Sequence, residues 1–375
     1  MKAKQYITNR LKEADIEING SRPWDITVHD KRFYNRVFAR GSLGLGEAYM
    51  DGWWDSRELE ESFNRGLSAR LDERIFTGRT LFSVLPRILM TLLMDFGSKK
   101  RSHNIDAHHY GIGNDLYKAM LDPYMAYTCG YWKNAHNLGD AQKDKFDLVC
   151  RKIGLKPGMS VLDLGCGWGG FLKFAAEKYG ITGVGVTITK NQVTLGNEMC
   201  ANLPVEIKHR DYRDVEGSFD RVVSIGLLEH VGPKYHRAFF EQARKRVKDD
   251  GLVLMHTIGG HKSKRYVEPW TNKYIFPGGV VPSLEQISRA SQDLFIMEDW
   301  HNFGYDYYRT LMAWSENFDK AWPALKKSGE YDERFYRMWK YYLLSTAGAF
   351  KARRLQLWQI VFSPKGVKGG YKSVR

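Results

Sequence analysis

Glu229, His256 and the glycine-spaced turn Gly165-Cys-Gly-Trp-Gly169 are the residues best suited to chemistry in this chain. A carboxylate and an imidazole are common groups for holding or moving a proton. The turn follows a short apolar run, Val161, Leu162 and Leu164, which Asp163 interrupts near its end. Glycines at alternate positions allow a tight turn and a close approach of backbone to a ligand. Residues 171–179 have helical spacing, so the turn joins a strand to a helix N-terminus and offers N–H groups to an electron-rich ligand. A bare G-x-G-x-G is a weak signal and reads equally well as a glycine turn in another α/β protein.

The tips of the neighbouring apolar runs add to it. The run 183–188 carries Thr187 near its end and no acid that would grip a ribose diol in a dinucleotide site, while Thr187 and Gln192 offer weaker hydrogen bonds. Asp211-Tyr212-Arg213-Asp214 follows the run 205–209; its polar groups suit an adenine edge or simply cap the loop. Glu229 follows the run 219–225, and His256 and Ile258 end the run 251–258. Alone, Glu229 reads as a helix cap and His256 as a satisfied half-buried histidine. Together, beside a nucleotide-like site, they favour chemistry.

Five such runs alternate with helical segments near 171–179, 191–200 and 235–247. That alternation predicts an α/β fold, a parallel sheet with helices on both faces, whose ligands sit outside the carboxyl ends of the strands. Residues 294–303 and 355–362 supply two closing strands, with aromatic-rich helix between them at 306–350. Ahead of the sheet, residues 1–18 read as an amphipathic helix and the glycines of 41–55 as a loop and short helix around Trp53 and Trp54. The apolar stretch 75–96, followed by Lys99-Lys100-Arg101, suits a segment lying on a membrane surface and equally suits core helices with a solvated linker. The expected division is a mainly helical N-terminal domain (1–92), a basic linker (93–105) and a catalytic domain (106–375).

The 375 residues carry 57 Lys plus Arg against 43 Asp plus Glu, a net charge of +14 that favours an anionic partner: nucleic acid, an acidic substrate or an anionic membrane. Hydrophobic residues make up 43%, enough to bury a large core and to argue against global disorder. No signal peptide and no apolar run of transmembrane length is seen, so a cytoplasmic location is expected. Cys129, Cys150, Cys166 and Cys200 have no C-x-x-C spacing, so neither a metal site nor a disulfide framework is implied. With no cysteine after Cys200, a thiol nucleophile in the C-terminal third is excluded; Cys166 reads as packing.

The turn 161–170, with Val184-Gly-Val-Thr-Ile-Thr189 and Gln192, resembles class I S-adenosylmethionine-dependent methyltransferases. The wider set is more specific. His109-Tyr-Gly-Ile-Gly-Asn-Asp-Leu-Tyr117, Tyr127-Thr-Cys-Gly-Tyr-Trp132, Asp211-Tyr-Arg213, Glu229-His-Val-Gly232, His256-Thr-Ile258, Tyr274-Ile-Phe-Pro277 and Trp300-His-Asn-Phe-Gly304 resemble the cyclopropane-fatty-acyl-phospholipid synthases over nearly the whole chain. The resemblance implies methyl transfer from S-adenosylmethionine to a cis double bond of a phospholipid acyl chain, then loss of a proton and ring closure. It implies a bicarbonate ion as base, held by Cys129, Glu229, His256, the Ile258 main chain and Tyr307. It implies cofactor binding by Tyr110, Asp163, Gly165, Gly167, Gly169, Thr187, Gln192, Asp211, Tyr212 and Arg213. Tyr274, Phe276 and Phe303 are expected to line the acyl site. Family membership also implies a homodimer, acting peripherally on the inner face of an anionic bilayer. Nucleic-acid methylation is the competing reading, motivated by the charge, but no RNA-binding motif accompanies it. A lipid-binding protein with an inactive methyltransferase fold is the third, and the full set of site residues argues against it.

Overall fold

The computed structural model describes residues 3–74, 113–264 and 268–375. Tyr110, the apolar stretch 75–96 and the basic segment 93–105 lie outside the described residues. Two compact units divide the rest. One gathers the residues up to 74 with 268–278 and 307–355; the other gathers 113–264, 279–306 and 356–375. The units therefore interleave along the chain, unlike the sequential boundaries read from composition.

In the first unit, helix Ala3–Glu13 is shorter than the amphipathic pattern suggests. A two-residue ribbon pairs β1 (Thr27–Val28) with β2 (Trp54–Asp55). Helix Arg32–Met50 runs through most of the glycine-rich segment expected as a loop and short helix, broken at Gly41, whose φ of 54° is left-handed. Trp54 is fully buried and its indole N–H donates to the Leu45 carbonyl, while the Arg36 guanidinium lies over Trp53. The aromatic-rich segment forms helices Tyr305–Lys327 and Glu333–Lys351. The second of these packs on helix Leu59–Ser68, where a Cβ on Gly348 would meet the Glu60 carbonyl. Gly46 is equally confined: a Cβ there would overlap the indole of buried Trp270, on helix Pro269–Tyr274. These close approaches draw 268–278 and 307–355 into this unit. Gly46→Ala is expected to cost about 1–3 kcal/mol by overpacking, read as an earlier denaturant midpoint at unchanged slope.

The second unit holds a seven-stranded sheet. Its strands are β3 (Ser160–Leu164), β4 (Thr182–Thr187), β5 (Val205–His209), β6 (Phe219–Ile225), β7 (Val247–Gly260), β8 (Ile296–Asn302) and β9 (Leu355–Ser363). The order is β5-β4-β3-β6-β7-β9-β8. The first five strands are parallel, and β8 runs antiparallel to β9. Both faces are buried, so the strands read as apolar runs rather than alternating ones. Leu162, Val222, Val253 and Ile360 pack against helices His236–Arg246 and Leu284–Ser291. Val161, Val223, Leu254 and Val361 pack on the opposite face, against helices Leu138–Lys152 and Gly170–Tyr179. Strand period two therefore turns Asp163, His256 and Gln359 toward that second face. The chain reverses direction across the sheet between β3 and β6, and this switch point opens the crevice where ligands bind in such folds.

Candidate active site

The turn after β3 has the geometry expected of a cofactor cradle. Gly165, Gly167 and Gly169 all have left-handed φ, at 79°, 56° and 78°. The N–H groups of Gly165 and Cys166 are already spent on the Val186 carbonyl, so these two fix the turn rather than receive a ligand. A Cβ on Gly167 would meet nothing within 4 Å, so its backbone faces clear space. At the tip of β4 the Thr187 hydroxyl donates to Gln192 Oε1 at 2.6 Å, both side chains being buried. Asp211 caps a short 3-10 turn (Tyr212–Asp214), and its carboxylate accepts from the Arg213 N–H and guanidinium. Burial pushes the Tyr212 phenol up to about 12, and its ring packs edge-on against Phe239.

Asp163 is buried beneath this turn, and its Oδ1 has no hydrogen-bond partner. Burial pushes its carboxyl up to about 7, opposed by the charge of Lys145. Lys145 is itself fully buried on helix Leu138–Lys152; desolvation lowers it to about 7, and its Nζ donates to the Thr128 hydroxyl at 3.0 Å. Gln142, one turn earlier, donates to the Thr128 carbonyl. These two buried side chains hold the segment leading into Cys129, whose thiol is wholly buried and donates to the Gly130 carbonyl.

Glu229 lies in the short helix Leu228–Val231 that follows β6, not at its cap. Its Oε1 accepts the Ile258 N–H at 2.7 Å, and its main-chain carbonyl accepts the Val280 N–H. Oε2 is buried and unpartnered, and burial raises the carboxyl to about 7. When the acid is protonated, Oε2 is the oxygen free to carry the proton, because Oε1 accepts the Ile258 N–H. The resemblance gives the Ile258 main chain to the anion; its N–H is engaged by Glu229 here. His256 is 1% exposed on β7, and its Nε2 is likewise unpartnered. Burial, then the charges of Lys145 and Lys152, hold the imidazole well below its ordinary value, so the ring is neutral. Phe303 stands edge-on to this ring with centroids 6.0 Å apart, and edge-on to Tyr131 at 5.2 Å.

Glu229, Ile258, His256 and Phe303 thus belong to one unit, as do the glycine turn, Thr187, Gln192, Asp211, Tyr212, Arg213 and Cys129. Tyr274, Phe276 and Tyr307 belong to the other. There the Tyr274 hydroxyl donates to buried Glu47, which also accepts from Lys273. Phe276 packs edge-on against Tyr342, and Tyr307 lies against Phe350 at 4.6 Å. Gln359, Lys145 and Gln142 escaped the sequence reading. Gln359 interrupts the apolar run 357–362, and Lys145 falls at helical spacing between Ala141 and Val149 on the buried side. Both breaks in pattern are visible in the sequence. Among the described residues, no cluster of His, Cys, Asp and Glu could hold a metal ion.

The fold has solved counterparts. Mycolic acid cyclopropane synthase CmaA1, in a complex described with SAH and CTAB, aligns with a TM-score of 0.65 and 30% identity over 69% of this chain and 97% of its own. Cyclopropane synthase MmaA2 from Mycobacterium tuberculosis aligns with a TM-score of 0.64 and 28% identity, with the same coverage of 69% and 97%. The sheet and the glycine turn at its switch point define an enzyme of the class I S-adenosylmethionine-dependent methyltransferases. Residues 97–360 match the family described as mycolic acid cyclopropane synthetase. The cyclopropane-fatty-acyl-phospholipid synthase of Escherichia coli K12 is 49% identical over 365 residues, which span 97% of this chain and 94% of that protein. The chain belongs to the mycolic acid cyclopropane synthetase family.

Proposed function

We propose that this enzyme inserts a methylene carbon from S-adenosylmethionine across the cis double bond of unsaturated acyl chains in membrane phospholipids. One observation carries the chemistry: Glu229 and His256 each keep a buried polar atom unpaired among the described residues, in the unit that holds the glycine turn. Buried polar atoms without partners are costly, so a ligand that pairs them is favoured.

S-adenosylmethionine, when bound, supplies an electrophilic methyl group. An alkene is a weak nucleophile, so the chain must hold the two in line at near-attack distance. The left-handed glycines and the Thr187–Gln192 pair would position the cofactor. The alkene π pair makes the new C–C bond, the C–S pair stays on sulfur, and ring closure releases one proton from the transferred carbon. Phe303 lines the site with a π face that favours positive charge and excludes water. Bicarbonate, when bound, supplies negative charge and a base for that proton. The donor set fits such an anion: Glu229 offers an O–H from Oε2, His256 a ring nitrogen, and neither brings a negative charge of its own while Glu229 is protonated. Cys129 would add to its surroundings through its main chain, because the thiol donates to Gly130.

No helix among the described residues is long and apolar enough to cross a membrane. The excess of 57 basic over 43 acidic residues supports peripheral docking on an anionic bilayer, for which the N-terminal residues and the basic segment are the proposed contacts. A homodimer is part of the same proposal. The test incubates the full-length protein with methyl-labelled S-adenosylmethionine, bicarbonate and vesicles of unsaturated phosphatidylglycerol, with RNA in a parallel arm. The expected result is label in the acyl chains, each modified chain heavier by one CH2. Label confined to head groups, or found in RNA, overturns the proposal.

A further inference from the structure

A protonated Glu229 and a neutral His256 bring no positive charge to the proposed anion, yet an anion taken out of water needs one nearby. Lys145 has a charge to spare. Its side chain is fully buried on helix Leu138–Lys152. An ammonium has several N–H groups to give, but among the described residues Nζ hydrogen-bonds only the neutral hydroxyl of Thr128, at 3.0 Å. Asp122 and Asp163 act on this charge without hydrogen-bonding it, and Asp122 spends its oxygens on the Tyr124 and Ala126 N–H groups. Thr128 in turn leads to the site. A Cβ on Gly226 would fall 2.8 Å from the Thr128 Cγ2. The Gly226 N–H donates to the His256 carbonyl at 2.8 Å, and Glu229 follows on the next short helix.

We infer that Lys145 is a positioning residue of the anion site: held by Thr128 near the end of β6 and His256, it supplies the buried positive charge that draws the anion in. Three features support this. The segment around Thr128 is fixed to the same helix face, the Tyr131 N–H donating to the Ala141 carbonyl at 2.8 Å and Gln142 Nε2 to the Thr128 and Ala126 carbonyls at 2.8 and 3.4 Å. Both partners of that amide are carbonyls, which only accept, so its orientation is set. The charge of Lys145 comes next after burial in holding the His256 ring neutral, so its field reaches the site. Lys152, the other lysine acting on that ring, is already committed, with Nζ 3.1 Å from His301 Nδ1 and 3.8 Å from Asp299. Burial lowers Lys145 to about 7, and a bound anion favours its charged form.

The inference rests on the proposed reaction for the identity of the anion, and its test needs no turnover. Carbon-13 NMR of labelled bicarbonate reads binding to the full-length enzyme at pH 7 with S-adenosylhomocysteine present. Lys145→Met keeps the length of the side chain and removes its charge; Lys145→Gln removes the charge and keeps an N–H. In both, the dissociation constant for bicarbonate is expected to rise about tenfold, the effect of one unit charge roughly 12 Å away at an effective dielectric of about 20. Thermal melting separates this from a structural role. An apolar side chain of similar shape relieves a buried charge that lacks a counter-ion, so Lys145→Met is expected to melt no lower than the parent. Under the conditions of the labelling assay both variants raise KM for bicarbonate. Unchanged bicarbonate affinity in the two variants overturns the inference, as does a loss confined to Lys145→Met or a parent enzyme that binds no bicarbonate. If affinity falls as expected but the parent places no label in acyl chains, the role of Lys145 stands and the proposed reaction fails.

Discussion

Glu229→Gln is expected to lower kcat about 100-fold, the range seen when a preorganised hydrogen-bond donor to a reacting anion is weakened, with binding of S-adenosylmethionine retained. The amide has the shape of the acid. Its oxygen accepts the Ile258 N–H as Oε1 does, and its NH2 takes the place of Oε2. What is lost is an acidic O–H, whose bond to an anion is shorter and stronger than that of an amide. Cofactor binding is expected to survive because the proposed cradle, the turn of Gly165, Gly167 and Gly169, does not use this side chain. The pH profile isolates the role. Burial raises Glu229 to about 7, so the donor is present below that pH and is lost as pH rises through it. Wild-type kcat therefore declines on the alkaline side, and the glutamine variant lacks that limb. Asp163, Lys145 and Lys152 also titrate near 7, so the disappearance of the limb in this one variant is what assigns it. Stability follows the same sign: a carboxyl raised from 4.5 to about 7 stabilises the fold fully below 4.5 and ceases to do so above 7. A variant with wild-type turnover and an unchanged alkaline limb would remove Glu229 from the chemistry.

Much of the sheet was legible because each of its strands is a short run bounded by turn residues. Ser160–Leu164, Thr182–Thr187, Val205–His209 and Phe219–Ile225 agree with the runs read from periodicity to within a residue or two. Both closing strands also lie where the apolar segments 294–303 and 355–362 place them. The glycine-rich segment 41–55 misled for a physical reason. Gly52 does mark a turn, but Gly44 and Gly46 lie within a helix and let it come close to other groups, as Gly46 does at Trp270. Propensity reads glycine as a helix breaker, whereas packing admits it where a side chain would not fit.

The interleaved units were not legible for a related reason. Residues 307–355 lie between β8 and β9 in sequence, and nothing in their composition says that helix Glu333–Lys351 packs with Leu59–Ser68. Side-chain pairing within the site was hidden too. Spacing located Thr187, Gln192, Asp211 and Arg213, but not that Thr187 bonds Gln192 or that Arg213 clamps Asp211. Such bonds depend on rotamers, which a sequence pattern does not carry. The anchoring of Glu229 by the Ile258 N–H is similar: both residues were singled out, yet as parallel holders of one anion rather than as a pair.

Two glycines three residues apart, Gly170 and Gly167, offer the sharpest separation of fold from ligand. Gly170→Ala is expected to abolish turnover, because a Cβ at that position falls on the Tyr124 carbonyl oxygen, and backbone has no rotamer by which to escape. Tyr124 leads into the segment 126–129 that Gln142 and Lys145 hold, so relief of the clash shifts Cys129. Overpacking of this kind costs about 3 kcal/mol, which lowers the melting midpoint by roughly 6–12 °C for a unit of this size. Gly167→Ala makes the opposite demand. Its φ of 56° costs a side chain about 1–2 kcal/mol for the left-handed region, but among the described residues no atom beyond its chain neighbours lies within 4 Å of the new Cβ. Stability should fall by only roughly 2–8 °C on the same scale. Binding of S-adenosylmethionine should weaken tenfold or more, since a loss of about 1.4 kcal/mol from one methyl against a close-lying ligand is sufficient. Calorimetric titration beside thermal melting reads both. A Gly167→Ala enzyme that binds the cofactor as tightly as the parent would mean that the ligand does not run along this turn, and that the clear space beside residue 167 belongs to solvent.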